Sequence, residues 1–91
     1  MNYHLVEYDS KHNIVYLEDT SGPTERTITN DAETVMQRMF RSYGTRVLVV
    51  YRDTAGEWWQ MRLKISGPYD EYEGIVFEPW YGVEWDILKR K

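Results

Sequence analysis

The chain has 91 residues, a formal net charge of −4, 15% aromatic residues and no cysteine. This length predicts a single domain with a modest core, and the missing cysteines exclude a disulfide scaffold, a thiolate zinc site and a cysteine nucleophile. There is no run of about 18 apolar residues to cross a membrane. The N-terminus lacks a basic region followed by an apolar one, so no signal peptide is predicted and a cytoplasmic protein is expected.

The chain begins with a predicted β-hairpin. Residues 2–8 and 13–18 are rich in β-branched and aromatic side chains, and the polar residues 9–12 separate them. Residues 19–24 have the composition of a loop. Residues 25–29 are dominated by β-branched side chains and predict a short edge strand.

A helix is predicted over residues 31–43, because apolar residues recur there at helical spacing. Asn30 is the expected N-cap, and Glu33, three residues later, completes a capping box. Gly44 is placed to end the helix. The apolar stripe consists of Ala32, Val35, Met36, Met39, Phe40 and Tyr43.

The strongest local signal lies in residues 44–65, which predict a second β-hairpin. The segment from Asp53 to Gly56 is typical of a type I turn closed by a glycine in the left-handed region. That turn fixes the register, with the pairs Asp53–Glu57, Arg52–Trp58, Tyr51–Trp59, Val49–Met61 and Val47–Leu63. One face of the hairpin is then apolar, and we expect the helix to cover it.

The last third of the chain predicts a loop and two further strands. Residues 69–74 form an acidic, tyrosine-bearing loop, and residues 75–78 form a short strand that Pro79 ends. Residues 83–88 alternate apolar and acidic side chains, which favours a strand. A short terminal helix is the alternative there, since no breaker residue interrupts the segment.

Together these elements predict one α+β domain over residues 1–91. It has an antiparallel sheet of about five to seven strands with one helix, about 31–43, packed on one face. The predicted order of elements is β-β-(β)-α-β-β-β-β.

The outer face of the second hairpin is one candidate binding surface. Arginines beside an aromatic ring are typical of single-stranded nucleic-acid sites, and the candidates are Arg46, Arg52, Trp58, Arg62 and Lys64. The alternative is pairing within the protein, such as a cation–π contact of Arg52 with Trp58. Because the chain is acidic overall, general phosphate affinity is the lesser expectation.

The acidic, aromatic segment after residue 68 is the other candidate, and we expect it to bind protein. Trp and Tyr are frequent anchors of protein interfaces, and neighbouring carboxylates would favour a basic partner surface. The candidates are Tyr69, Asp70, Glu71, Tyr72, Trp80 and Tyr81. The alternative is a solvated loop that keeps the protein soluble.

Catalytic and metal-binding patterns are weak. The four serines lie in no nucleophile motif, and the glycines are dispersed as turn residues. His4 and His12 are the only histidines, and a metal pair with Asp9 or Glu7 lacks a third ligand at fixed spacing. We therefore predict a non-enzymatic protein with no cofactor and no metal.

Two short segments carry a resemblance. Thr29 to Glu33 before the helix, together with Tyr51 to Asp53 and Gly56 to Trp58 in the hairpin, resembles small bacterial and phage proteins that carry no assigned function. The resemblance covers roughly residues 27–63. It implies a bacterial or phage origin and brings no site residues with it.

These observations predict a small protein-interaction or regulatory module that engages a host protein through its acidic, aromatic surface. A nucleic-acid-binding module is the alternative. A homo-oligomer is a further alternative, since edge strands such as 25–29 or 75–78 can pair across a two-fold axis.

Overall fold

The computed structural model describes residues 1–68 and 71–81. Within these ranges the chain forms five strands and one helix. They are β1 (Tyr3–Asp9), β2 (Ile14–Asp19), α1 (Ala32–Tyr43), β3 (Leu48–Arg52), β4 (Trp58–Ile65) and β5 (Tyr72–Pro79). The predictions for Tyr69, Asp70 and residues 83–88 lie outside the described residues. No helix in the described ranges is long and apolar enough to cross a membrane.

The strands form one sheet in the order β1-β2-β3-β4-β5. The α+β class with a single helix in the described chain is confirmed, but the sheet is mixed, because β2 and β3 run parallel. Helix α1 lies between these two strands in the chain, and a helical crossover is the usual connection between parallel neighbours. The prediction of a wholly antiparallel sheet assumed local hairpins and missed this crossover.

The predicted edge strand over 25–29 is wrong. The segment is a loop, and the buried Asp19 carboxylate at the end of β2 holds it by accepting the backbone N–H groups of Ser21, at 2.9 Å, and of Ile28, at 2.7 Å. Ile28 is fully buried in the core. Its β-branched side chain therefore anchors a loop on the core instead of joining a sheet.

Helix α1 ends as predicted but begins differently. Gly44 has φ 94° and donates its N–H to the Phe40 carbonyl at 2.8 Å, which closes the last turn. The N-cap is Asp31 and not Asn30, and its side chain makes no capping bond. An ion pair with Arg26 at 2.7 Å engages the Asp31 carboxylate instead.

The core lies between α1 and the face of the sheet that the helix covers. Tyr51 at its centre is fully buried, its hydroxyl lies 2.9 Å from the Thr29 hydroxyl, and burial raises the pKa of Tyr51 to about 12. Fully burying one large apolar side chain stabilises a fold by about 1.5–3 kcal/mol. The buried cluster comprises Val15, Leu17, Ile28, Val35, Met36, Val47, Val49, Tyr51, Met61 and Leu63.

The β3–β4 hairpin has the predicted register, with the pairs Arg52–Trp58, Tyr51–Trp59 and Val49–Met61. The Asp53 N–H donates to the Glu57 carbonyl at 2.8 Å, and Gly56 has φ 86°, as the turn requires. The Asp53 carboxylate also accepts the N–H groups of Ala55 and Glu57, at 2.9 and 2.8 Å. One side chain thus organises the whole turn.

Strand β5 is longer than the predicted strand over 75–78. Its pairing with β4 shifts register between Leu63–Ile75 and Ile65–Tyr72, so two residues of β5 oppose one of β4. Gly74 lies in this bulge with φ 155°, a backbone conformation that favours glycine.

Candidate functional site

The structure separates the predicted acidic, aromatic surface into two places. Glu71 and Tyr72 lie at the start of β5, whereas Trp80 and Tyr81 follow its end. At about 3.3 Å per residue, these two groups are roughly 25 Å apart along the strand. The predicted residues therefore do not form one surface.

The predicted basic face is also divided. Arg52 and Trp58 are paired at the turn end of the hairpin, while Arg46 and Arg62 border a shallow cleft toward the other end. The Lys64 ammonium is engaged with Glu73 at 3.6 Å. The five side chains do not converge on one site.

The middle of this outer face is not open either. Val50, which the register places on it, is fully buried, and Tyr16, its neighbour on β2, is only 8% exposed. A continuous platform for stacked bases needs exposed rings and free cations in sequence. The arrangement does not provide one along this face.

Trp58 of the predicted basic face meets Trp80 and Tyr81 of the predicted acidic, aromatic surface at an aromatic cleft. We define this aromatic cleft by Glu57, Trp58, Trp59, Pro79, Trp80 and Tyr81. Its volume is about 360 Å³. The backbone N–H of Trp80 donates to the backbone carbonyl of Trp58 at 3.1 Å, so the β4–β5 ladder continues one residue past Pro79. This bond places Trp58 and Trp80 opposite each other at the end of the sheet.

Trp59 gives the cleft a fixed wall. Its ring stacks on Phe77 with centroids 5.2 Å apart, and its indole N–H donates to Asp53 at 2.8 Å. Asp53 is itself held by the turn. Because both the apolar face and the polar atom of Trp59 are engaged within the protein, this ring is positioned before any ligand arrives.

Trp80 contrasts with Trp59. Its indole nitrogen is shielded from solvent and has no hydrogen-bond partner among the residues that the structure describes. A buried indole N–H is normally paired, and leaving such a donor unpaired costs about 1–3 kcal/mol. Tyr81 beside it is 90% exposed. Two neighbouring residues of the cleft thus carry an unsatisfied donor, on Trp80, and a large, solvated ring, on Tyr81.

The two histidines do not meet. His4 is paired in register with Glu18, with 3.9 Å between the imidazole and the carboxylate, while His12 hydrogen-bonds Asp9 at 2.7 Å in the β1–β2 turn. The His12 bond lowers the pKa of the Asp9 carboxyl. Among the described residues, no group of three or more His, Cys, Asp or Glu side chains could hold a metal ion.

Sequence reasoning missed the contribution of Glu57, Trp59 and Pro79 to the cleft. The hairpin register places Trp59 but says nothing of β5. The pairing of Trp59 with Pro79 depends on the β4–β5 register, which the bulge at Gly74 alters. A signal was present in Pro79, which marks the end of a strand and brings the following aromatic residues to the end of the sheet.

Comparisons with known protein families, with curated proteins and with solved structures found no match to this chain.

Proposed function

We propose that this chain is a small, non-enzymatic protein-interaction module whose contact site is the aromatic cleft. The ligand is an extended, proline-containing segment of a partner protein. The observation that carries the proposal is the indole N–H of Trp80, a residue that lines the cleft, which has no hydrogen-bond partner among the described residues. The resemblance to bacterial and phage proteins makes a host protein the expected source of that segment.

Polyproline II segments suit such a cleft for a physical reason. They have no internal hydrogen bonds, so their carbonyls stay free to accept, and their proline rings pack on aromatic faces. A peptide carbonyl that accepts a hydrogen bond from the indole N–H of Trp80 removes the free-energy cost of the unpaired donor. Because this nitrogen is shielded from solvent, such binding requires the Trp80 ring to rotate so that its indole N–H reaches that carbonyl.

The charge of the cleft also favours one kind of ligand. Glu57 lines the cleft and is exposed, and the whole chain carries −4. A basic residue next to the prolines would pair with this carboxylate. We therefore expect proline-rich segments with Lys or Arg to bind more tightly than neutral ones.

The test uses an array of labelled, proline-rich peptides with and without a basic residue, and measures affinity by fluorescence anisotropy. The Trp80→Phe variant keeps an aromatic ring and removes the donor, so we expect binding to weaken about five- to tenfold. Tyr81→Ala should weaken it by about tenfold.

Tyr72→Ala is the matched control, because it removes an exposed tyrosine, 45% accessible, from the opposite end of β5. Its affinity for proline-rich peptides should equal that of the wild type. Equal affinity of wild type and Trp80→Phe for every bound peptide would overturn the proposed role of the indole N–H, and absence of binding to the array would overturn the ligand class.

Nucleic acid is the second candidate ligand, and one observation favours it. Arg52, paired in register with Trp58, is exposed and makes no ion pair with any described residue. Binding of labelled single-stranded oligonucleotides would then weaken steeply with salt and be lost in Arg52→Glu. Peptide binding at the cleft should tolerate that variant.

A further inference from the structure

The outer edge of β5 carries no neighbouring strand within the part of the chain that the structure describes. The hydrogen bond from the backbone N–H of Trp80 to the backbone carbonyl of Trp58 shows which backbone groups of β5 face β4. Along an antiparallel strand, the backbone N–H and carbonyl groups of successive residues point alternately to the two sides. The backbone groups of Val76 and Glu78 therefore face β4. The backbone groups of Ile75 and Phe77 point away from β4, toward the open edge.

Pro79 agrees with this assignment. It is paired with Trp59. Because it follows Phe77 by two residues, its backbone nitrogen also points away from β4. A proline has no N–H, and such an outward position is where its absence removes no ladder bond. The edge therefore offers the N–H and carbonyl groups of Ile75 and Phe77 to an additional strand.

An apolar groove runs beside this edge, between α1 and β5. Its volume is about 270 Å³, and its lining includes Glu33, Met36, Gln37, Leu63, Tyr72 and Ile75. The Tyr72 ring lies 6.0 Å from that of Phe40 on the helix. Side chains of an added strand that point toward the helix would enter this groove.

We propose that β5 binds an extended, basic, apolar segment of a protein as an antiparallel sixth strand. Strand addition of this kind takes its affinity from main-chain hydrogen bonds and its specificity from pockets for alternate side chains. Every second residue of the segment is apolar and enters the groove between α1 and β5. The intervening residues are basic.

The charges beside the edge select this occupant. Glu71 and Glu73 flank Tyr72 and are exposed. The ion pair of Glu73 with Lys64 places this carboxylate on the face of the sheet opposite the groove, where the basic residues of the segment project, and Glu71 forms no ion pair with a described residue. A second copy of this chain would bring the same carboxylates and another −4, so a basic segment is favoured over self-pairing.

This site is independent of the proposed function, since the groove and the aromatic cleft share no lining residue. The two can be tested in the same protein. Tyr72→Ala removes a groove side chain and Glu73→Gln removes a carboxylate beside the edge, and both leave the cleft intact, whereas Tyr81→Ala does the reverse.

The probe is an acetylated, amidated heptapeptide in which lysine and valine alternate, with lysine at both ends. In the proposed pairing the valine amides bond β5 and the lysine amides point away. A peptide N-methylated at the valines should therefore lose binding by about tenfold or more, whereas one N-methylated at the lysines should bind normally.

Amide hydrogen exchange of the labelled protein gives a second readout. Saturating peptide should slow exchange at Ile75 and Phe77 by about tenfold and leave Val76 and Glu78 unchanged. Tyr72→Ala and Glu73→Gln should reduce affinity, and Tyr81→Ala should not.

Three results would overturn the inference. They are no binding of the heptapeptide, equal binding of both N-methylated forms, or binding without protection of Ile75 and Phe77. Protection of these two amides that depends on protein concentration without peptide would assign the edge to a second copy instead. None of these results bears on binding of proline-rich peptides at the aromatic cleft.

Discussion

The two ends of β5 are built by different means. At the Pro79 end, the strand pairs with Trp59, whose ring and indole N–H are fixed by Phe77 and Asp53. At the Tyr72 end, the strand opens into a bulge at Gly74 and an apolar groove beside the helix. The first end presents side chains on a rigid wall, and the second presents backbone. One strand thus borders two chemically distinct features, the aromatic cleft at one end and the apolar groove at the other.

Removing the side chain that fixes the Pro79 end should cause the largest loss of unfolding free energy. Asp53→Ala removes the acceptor of three hydrogen bonds, from Ala55, Glu57 and the Trp59 indole. We expect the free energy of unfolding in urea to fall by about 2–3 kcal/mol. Asp53→Asn keeps an acceptor oxygen and should lose less. Equal loss in both variants would contradict the proposed part of the hydrogen bonds.

The contribution of buried Tyr51 to the core between the two ends can be tested by measuring stability at alkaline pH. Burial raises the pKa of Tyr51 from 10.0 to about 12. The folded state then holds a proton that the unfolded state releases, so stability is fully present below pH 10 and declines from pH 10 to about 12. Tyr51→Phe should flatten this decline in urea unfolding measured across that range. A decline unchanged in the variant would point to another group.

Two of the three tryptophans of the cleft, Trp59 and Trp80, sharpen the comparison within the rigid end. Trp59→Phe leaves Asp53 without a partner for Oδ2 and should cost about 1–2 kcal/mol of unfolding free energy. Trp80→Phe removes a donor that has no partner among the described residues, so its cost should be below about 0.5 kcal/mol. Thermal or urea unfolding of both variants measures the difference, and the reverse order would be inconsistent with an unpaired Trp80.

The bulge at the open end should give no larger change in stability than Trp59→Phe. Gly74 has φ 155°, and a Cβ built there meets nothing within 4 Å. The cost of Gly74→Ala is therefore backbone strain alone, about 1 kcal/mol. Thr54→Ala, at an exposed position in the β3–β4 turn, is a control. A loss much larger than this would mean that the added methyl group does meet a neighbour.

The β3–β4 hairpin could be predicted from sequence because its register depends on local turn chemistry. Asp53 and Gly56 lie within the turn itself, and the turn alone determines which side chains face the core. The same holds for Gly44 at the end of α1. The chosen N-cap was wrong because Asn30 and Asp31 are both good capping residues, and the choice depends on the ion pair between Asp31 and Arg26.

Long-range pairing could not be predicted in the same way. The parallel contact of β2 with β3 depends on how α1 crosses the sheet, and residues 25–29 have strand composition although Asp19 holds them as a loop. The aromatic cleft depends on β4–β5 register, which one glycine bulge alters. The sequence therefore supplied Trp58, Trp80 and Tyr81 as candidates, but not the register that brings these three residues to one cleft.

The parallel pairing of β2 with β3, which we call the parallel seam, affects the order in which the chain folds. The β1–β2 and β3–β4 hairpins each join neighbouring segments, so both can form early from local contacts. The seam joins residues far apart in sequence, such as Asn13 and Leu48, whose carbonyl and N–H are 3.0 Å apart. Closing that long loop is entropically costly. We therefore expect docking of two preformed hairpins across this seam to be the slow step of folding.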